Sequence, residues 1–415
     1  MCRLNSFGIR LTAAGVFHTI CQNQPESILL SNIINVSWGD HLTAGEGDGR
    51  LNTIDSLRRR MAVWRDELDA GALHWREHRT QKDGKSISSP ETRRNRTTDI
   101  DWNDFEVVPR IAHEMGLPAH LYVVLFDEGW PLAPESERKV SYHNRGHGQN
   151  HAWQSNFTIE HPEYLVVDRS REKRQWGVLS IAYPEVRDYL CQRLAKLLEG
   201  YDFDGLFVCL RSQSKPADFA DEFGFNEPVR NEYLRRYGKD IWTEDFNLCL
   251  WRDLQGEYLT QFMAQLREVT KNSGHELSVG CARGDIIGQP LGNSTLGWRE
   301  WVDRNLIDSL VINQSSAQCP SMWIQLWPMH RGGGYTQDYV SGQNMPPLDR
   351  QITEEYGPIL DGKSTDLYVA RQWSNPSPSE EQALLEHPAV SGLVYSSFRY
   401  DNAQRIAAHK GDWIL

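Results

Sequence analysis

The chain has 415 residues, 39% of them hydrophobic, which is ample for one large core. Its formal charge of −12 argues against nucleic acid or an anionic membrane surface as partner, because both reward clustered Lys and Arg. No run of about eighteen apolar residues is present, so no segment reads as a bilayer-spanning helix.

Arg3 and Arg10 precede an apolar stretch from Leu11 to Ile20, but His18 interrupts it and no clear small-residue cleavage site follows. Residues 1–27 therefore read as an N-terminal extension, with a degenerate export signal as the alternative, and residues 28–415 as one domain. The seven cysteines, at positions 2, 21, 191, 209, 249, 281 and 319, are odd in number and contain no CxxC pair, which favours reduced thiols and a cytoplasmic location. The oligomeric state cannot be read from the sequence.

In chain order, strand-like apolar runs fall at Leu29 to Val36, Gly71 to Trp75, His120 to Phe126, Gly205 to Leu210, Leu277 to Cys281, Ile307 to Ile312, Asp366 to Ala370 and Ser391 to Ser396. Helical periodicity separates them. Val186, Leu190, Leu194 and Leu197 form one stripe, and Leu254, Tyr258, Phe262, Leu266 and Val269 another. Runs such as Leu206, Phe207, Val208 lack polar alternation, which suits a parallel strand covered on both faces. Eight strand and helix units predict an α/β fold, a (β/α)8 barrel with long loops on its C-terminal face. The segments after Trp38, His78, Phe126, Arg211, Cys281 and Ile312 are long and polar or aromatic, as a working face requires. Residues 80–98, rich in Lys, Arg and Ser, read as a solvated hairpin or a lid.

The stretches GVLSIAYPEVRDYL, YDFDGLFVCLRS and WREWVDRNLIDSLVI resemble bacterial glycosyl-hydrolase-like proteins labelled family 10 glycosylhydrolase, over roughly residues 28–400. The resemblance implies a (β/α)8 barrel and a glycosidase. Many such proteins end the fourth strand in an aspartate, in a pattern like DGIHFDYIRY. This chain instead reads Val208, Cys209, Leu210, Arg211, so no nucleophile carries over at that position.

Glycoside hydrolysis needs a proton donor and a second carboxylate, and barrel strand ends are the place to seek both. The third run ends LYVVLFDEGWP, which makes Asp127 and Glu128 catalytic candidates against the alternative of a loop carboxylate pair binding backbone amides or an arginine. Past the fifth run, Arg283 and Asp285 offer a carboxylate held ionised by an arginine, or else a structural ion pair bracing a Gly-rich loop. Asn226, Glu227 and Pro228 imitate an Asn-Glu-Pro acid motif, but lie well beyond the fourth strand end and read better as a helix N-cap and first turn.

Arg76, Arg211, Arg283, Arg371 and Arg399 recur at strand ends; forked guanidinium donors there suit an anionic sugar, or else neutralise the mouth carboxylates. Asn313, Gln314 and Gln372 are amides placed to read sugar hydroxyls, and His78, His143 and His147 are further hydroxyl partners. His143, His147 and His151 share a four-residue period that would align metal ligands on a helix, but the neighbouring glycines and asparagines disfavour a helix. Trp38, Trp130, Trp153, Trp327 and Trp373 are sugar platforms or loop packing, among fifteen tryptophans in all. No cofactor is called for. The sequence thus points to a glycoside hydrolase on an oligo- or polysaccharide, with a silent carbohydrate-binding barrel or a metal-dependent hydrolase or lyase as alternatives.

Overall fold

The computed structural model describes residues 31–36, 51, 53–77, 102–126, 128, 155–210, 221–286, 294–313, 346–371 and 378–396. Strand β1 (Asn32–Val36) leads through helix α1 (Ile54–Leu68) to β2 (Ala70–Arg76), and α2 (Asp104–Glu114) leads to β3 (Ala119–Val124). A short helix α3 (Asn156–Glu160) and an antiparallel pair, β4 (Leu165–Val167) and β5 (Arg174–Leu179), come before α4 (Pro184–Gly200). Then follow β6 (Gly205–Cys209), α5 (Glu227–Tyr237), α6 (Leu248–Ser273), β7 (Glu276–Gly280), α7 (Trp298–Asp303) and β8 (Ser309–Ile312). Last come helix α8 over 348–360, with Ile352–Tyr356 π-helical in its middle, β9 (Asp366–Arg371), α9 (Pro378–Leu385) and β10 (Gly392–Ser396).

Strands β1, β2, β3, β6, β7, β8, β9 and β10 are all parallel and close into a barrel, so the (β/α)8 fold expected from the sequence is the one observed. Each predicted apolar run is one of these strands, with its ends shifted by a few residues. The β4–β5 pair is an addition between β3 and α4 that the sequence reading does not anticipate.

Strand parity builds two cores. Ile34, Leu73, Trp75, Leu121, Val123, Leu206, Val208, Leu277, Val279, Leu310, Leu367, Val369 and Leu393 face outward and pack with the helices. Ile33, Tyr122, Val124, Phe207, Cys209, Val311 and Val394 fill the barrel interior as a separate cluster. Both faces of strands such as β6 and β8 are therefore covered by apolar side chains, which is why these strands read as unbroken apolar runs, and each fully buried Leu or Phe contributes about 1.5–3 kcal/mol. Trp64, Trp75, Trp251, Trp298 and Trp301 are fully buried, so these indoles serve packing. Cys191, Cys209, Cys249 and Cys281 are free thiols.

Local chemistry fixes the helix ends. In α4 the buried stripe is Val186, Leu190, Leu194 and Leu198, with Leu197 only partly covered, a small correction to the predicted face. Helix α6 starts at Asn247, whose side chain accepts from the N–H of Cys249 at 2.9 Å, and stops at Gly274, where φ is 74°. Asn226 does occupy the N-cap position of α5, yet its side chain caps nothing. It donates to the Leu165 carbonyl at 2.9 Å and accepts from the Val167 N–H at 3.4 Å, fastening the β4–β5 pair to α5. Asn32 closes the barrel seam: its amide donates to the Leu68 carbonyl at 2.9 Å, and its oxygen accepts from the Leu393 N–H at 3.1 Å. Among the described residues no helix is long and apolar enough to cross a membrane.

Candidate active site

The interior of the barrel is polar along one side because β1, β2 and β3 alternate polar with apolar residues. His74 lies flat between Phe207, at 4.0 Å between ring centroids, and His120, at 5.5 Å, and its Nδ1 is 2.7 Å from Asn35 Oδ1. Burial, followed by the nearby His120, pushes the His74 pKa well below the ordinary histidine value, so the ring is neutral. Two residues on, towards the mouth, Arg76 is buried with its guanidinium 5.7 Å from the centroid of Tyr122. Glu77 begins the outward-facing tip of β2: its N–H donates to the Tyr122 carbonyl at 2.7 Å, and Arg193 of α4 binds its carboxylate, with Nη2 2.5 Å from Oε1.

Past β3 the chain stays in register, with the Leu125 N–H on the Cys209 carbonyl at 3.1 Å, and then delivers Glu128. Glu128 has 0% exposure. Its N–H donates to Gly177 of β5 at 2.8 Å, and its carbonyl accepts from the Ser155 N–H at 2.8 Å, so strand end, α3 and the β4–β5 pair are clamped together at this residue. The Tyr189 hydroxyl of α4 donates to its Oε2 at 3.3 Å. Tyr189 is itself fixed by stacking on Phe157 at 3.8 Å.

Past β7 the pairing expected from the sequence is not made. Asp285 does not join Arg283; its Oδ1 accepts from Trp298 Nε1 at 3.0 Å and binds the Arg299 guanidinium. Its carboxylate is thus engaged by α7, and neither the arginine-held catalytic carboxylate nor the Arg283–Asp285 ion pair expected from the sequence is formed. Arg283 instead donates from Nη1 to the Pro346 carbonyl at 3.0 Å, while the Gly284 N–H donates to the Tyr356 hydroxyl at 2.8 Å.

Asn313, at the tip of β8, is buried and adopts a left-handed conformation with φ of 68°, which asparagine tolerates better than most side chains. Its amide donates to the Ala370 carbonyl at 2.9 Å, tying β8 to β9. Arg371 stands at the end of β9 but on the outward parity, opposite Tyr395. It binds Glu380 through Nη2 at 2.6 Å and Nη1 at 3.2 Å, with Glu381 3.5 Å from Nε. The arginine predicted to face substrate thus braces α9. Asp127, Trp38, His78, His143, His147, His151, Arg211, Gln314, Gln372, Trp373 and Arg399 lie outside the described residues, as do Trp130, Trp153 and Trp327.

Asn35, His74, His120 and Tyr122 are the polar and aromatic interior residues that the sequence reading passes over. A signal for them exists: in the β2 run, Leu73 and Trp75 alternate with His74 and Arg76, and in a barrel such parity assigns the polar pair to the inside.

No family model matches this chain, and comparison with curated protein sequences returns no match. Solved structures do resemble it. The PgaB (BpsB) glycoside hydrolase domain from Bordetella bronchiseptica superposes with a TM-score of 0.51 at 14% identity, covering 93% of this chain and 99% of that one. The catalytic domain of beta-amylase from Paenibacillus polymyxa gives a TM-score of 0.51 at 10% identity, covering 93% of this chain and 97% of that one. At such identities the likeness is one of fold, and it places this chain among (β/α)8 barrels.

Proposed function

We propose that this protein is a glycoside hydrolase acting on an oligo- or polysaccharide, with Glu128 as its general acid or base. The observation that carries the reading is the position of Glu128: a fully enclosed carboxyl just past the third barrel strand, held through both backbone groups and through the Tyr189 hydroxyl. Acetal cleavage requires a carboxyl whose place is fixed against the leaving oxygen, and the C-terminal end of a barrel strand is where such groups reside. The likeness in fold to two glycoside-cleaving barrels supports the same reading. With Asp285 engaged by Arg299 and Trp298, the partner carboxylate in this proposal is Asp127. The free thiols fit a reducing compartment.

A second reading has its own support. Strand β6 ends in Cys209, followed by Leu210, with no carboxylate in the strand, which suits a barrel that binds carbohydrate without cleaving it. The two are separated by reducing-end release from a panel of neutral, uronic and sulfated polysaccharides, using wild type and Glu128→Gln. The hydrolase reading predicts release by the wild type and a loss of about 10²- to 10⁴-fold in the variant. Equal release by both removes Glu128 from the mechanism, and sugar binding without release by either supports the silent barrel.

A further inference from the structure

Most of the buried or half-buried arginines in this barrel have a carboxylate: Arg193 has Glu77, Arg230 has Asp240, Arg252 has Asp221, Arg267 has Asp308 and Arg371 has Glu380. Arg187 has none, but its fork is filled by the carbonyls of Ile181 and Ala182 and by Gln265. Arg283 differs from both groups. It is half-buried past the end of β7, its one hydrogen bond among the described residues goes to the neutral Pro346 carbonyl, and its Nε is enclosed with no partner.

The nearby acids are already committed. Glu380 is held by Arg371 at 2.6 Å, Glu355 accepts from Gln351 at 3.2 Å with Arg299 4.0 Å away, and Asp285 is bound by Arg299 and Trp298. Burial lowers the Arg283 pKa, and the nearby carboxylates of Glu380 and Glu355 only partly offset it. Among the described residues no carboxylate lies within ion-pair distance of this half-buried guanidinium, and its remaining donors match a carboxylate or sulfate. The residue lies between the tip of β7 and the start of α8, on the end of the barrel where ligands bind.

We propose that Arg283 supplies the binding site for an oxyanion on the sugar, so that the substrate class is an acidic oligosaccharide, uronic or sulfated; the inference rests on the carbohydrate reading above. The test is calorimetric titration of the full chain at low ionic strength with an oligogalacturonate, a chondroitin sulfate oligosaccharide and a neutral xylo-oligosaccharide of equal length. Wild type, Arg283→Gln and Arg283→Lys are compared, with thermal melting as the check on folding.

The expected result is a preference of about 10-fold or more for one acidic ligand over the neutral one, erased in Arg283→Gln and only partly kept in Arg283→Lys. Which acidic ligand is preferred tells carboxylate from sulfate. Equal wild-type affinity for acidic and neutral ligands overturns the proposal, as does a preference that survives in a folded Arg283→Gln. If no sugar binds at all, sulfate alone is titrated while the Arg283 Nε–H resonance is followed. A shift keeps the anion site and discards the carbohydrate reading; no shift discards both.

Discussion

His74 occupies the part of the barrel least able to hold a charge. It is fully buried, stacked on Phe207, and its Nε2 has no hydrogen-bond partner among the described residues to accept a proton there. Its folded pKa lies well below 6.5, whereas in the unfolded chain the ring protonates near the ordinary value of about 6.5. The unfolded state therefore binds the extra proton first as pH falls, and stability drops from about pH 6.5 downward, with no contribution above it. Urea unfolding of wild type and His74→Gln at about pH 7.5 and about pH 5 should show a larger loss in the wild type. An equal loss in both would mean that His74 does not set the acid limit. Direction of the side chain, more than residue type, is what sequence conveys poorly at this scale. Arg76 and Arg371 both end a strand and both look like substrate ligands, yet parity turns Arg76 into the barrel and Arg371 out to Glu380. Asp285 does not pair with Arg283, two residues before it in sequence, and no spacing rule signals that Arg299 takes that place.

The barrel is a closed cycle of strands, and its seam between β1 and β10 joins elements from opposite ends of the described chain. Asn32 supplies one side-chain hydrogen bond across it, to Leu393, and a second to Leu68 at the end of α1. Asn32→Ala removes both and leaves buried backbone groups short of partners, which should cost about 2–3 kcal/mol in urea unfolding with no change in the slope. An unaltered midpoint would show that the strand ladder alone holds the seam. A similar tightness exists between β6 and β7, where a Cβ on Gly205 would come within 2.6 Å of the Glu276 carbonyl oxygen. Strands such as β6 and β8 are legible because burial on both faces makes them runs of branched and aromatic residues, as in Leu206 to Val208 and Leu310 to Ile312. The β4–β5 pair is not, since Leu165–Val167 is short and its stability comes from partners distant in sequence, such as Asn226. Asn226 illustrates the limit well: its N-cap position is readable from Glu227 and Pro228, while the use of its amide depends on where the β4–β5 pair docks.

At the scale of the whole molecule, closure brings the tips of eight parallel strands, from segments far apart in the chain, onto one face. Glu128 is fixed by groups from α3, β5 and α4 at once, so its position is a property of the assembled barrel and its added hairpin together. The likeness to solved barrels is one of fold, and one barrel supports many reactions, so the reaction is read from the residues at the strand ends. The most direct measurement is the mass of the first product released from the polysaccharide that the protein binds best. Hydrolysis predicts fragments whose masses sum to the substrate plus one water, absent when Glu128→Gln replaces the wild type. Fragments whose masses sum to that of the substrate, one carrying a new double bond, would identify a lyase, and intact polysaccharide recovered from a tight complex would identify a binding protein; either result contradicts a hydrolase built on Glu128.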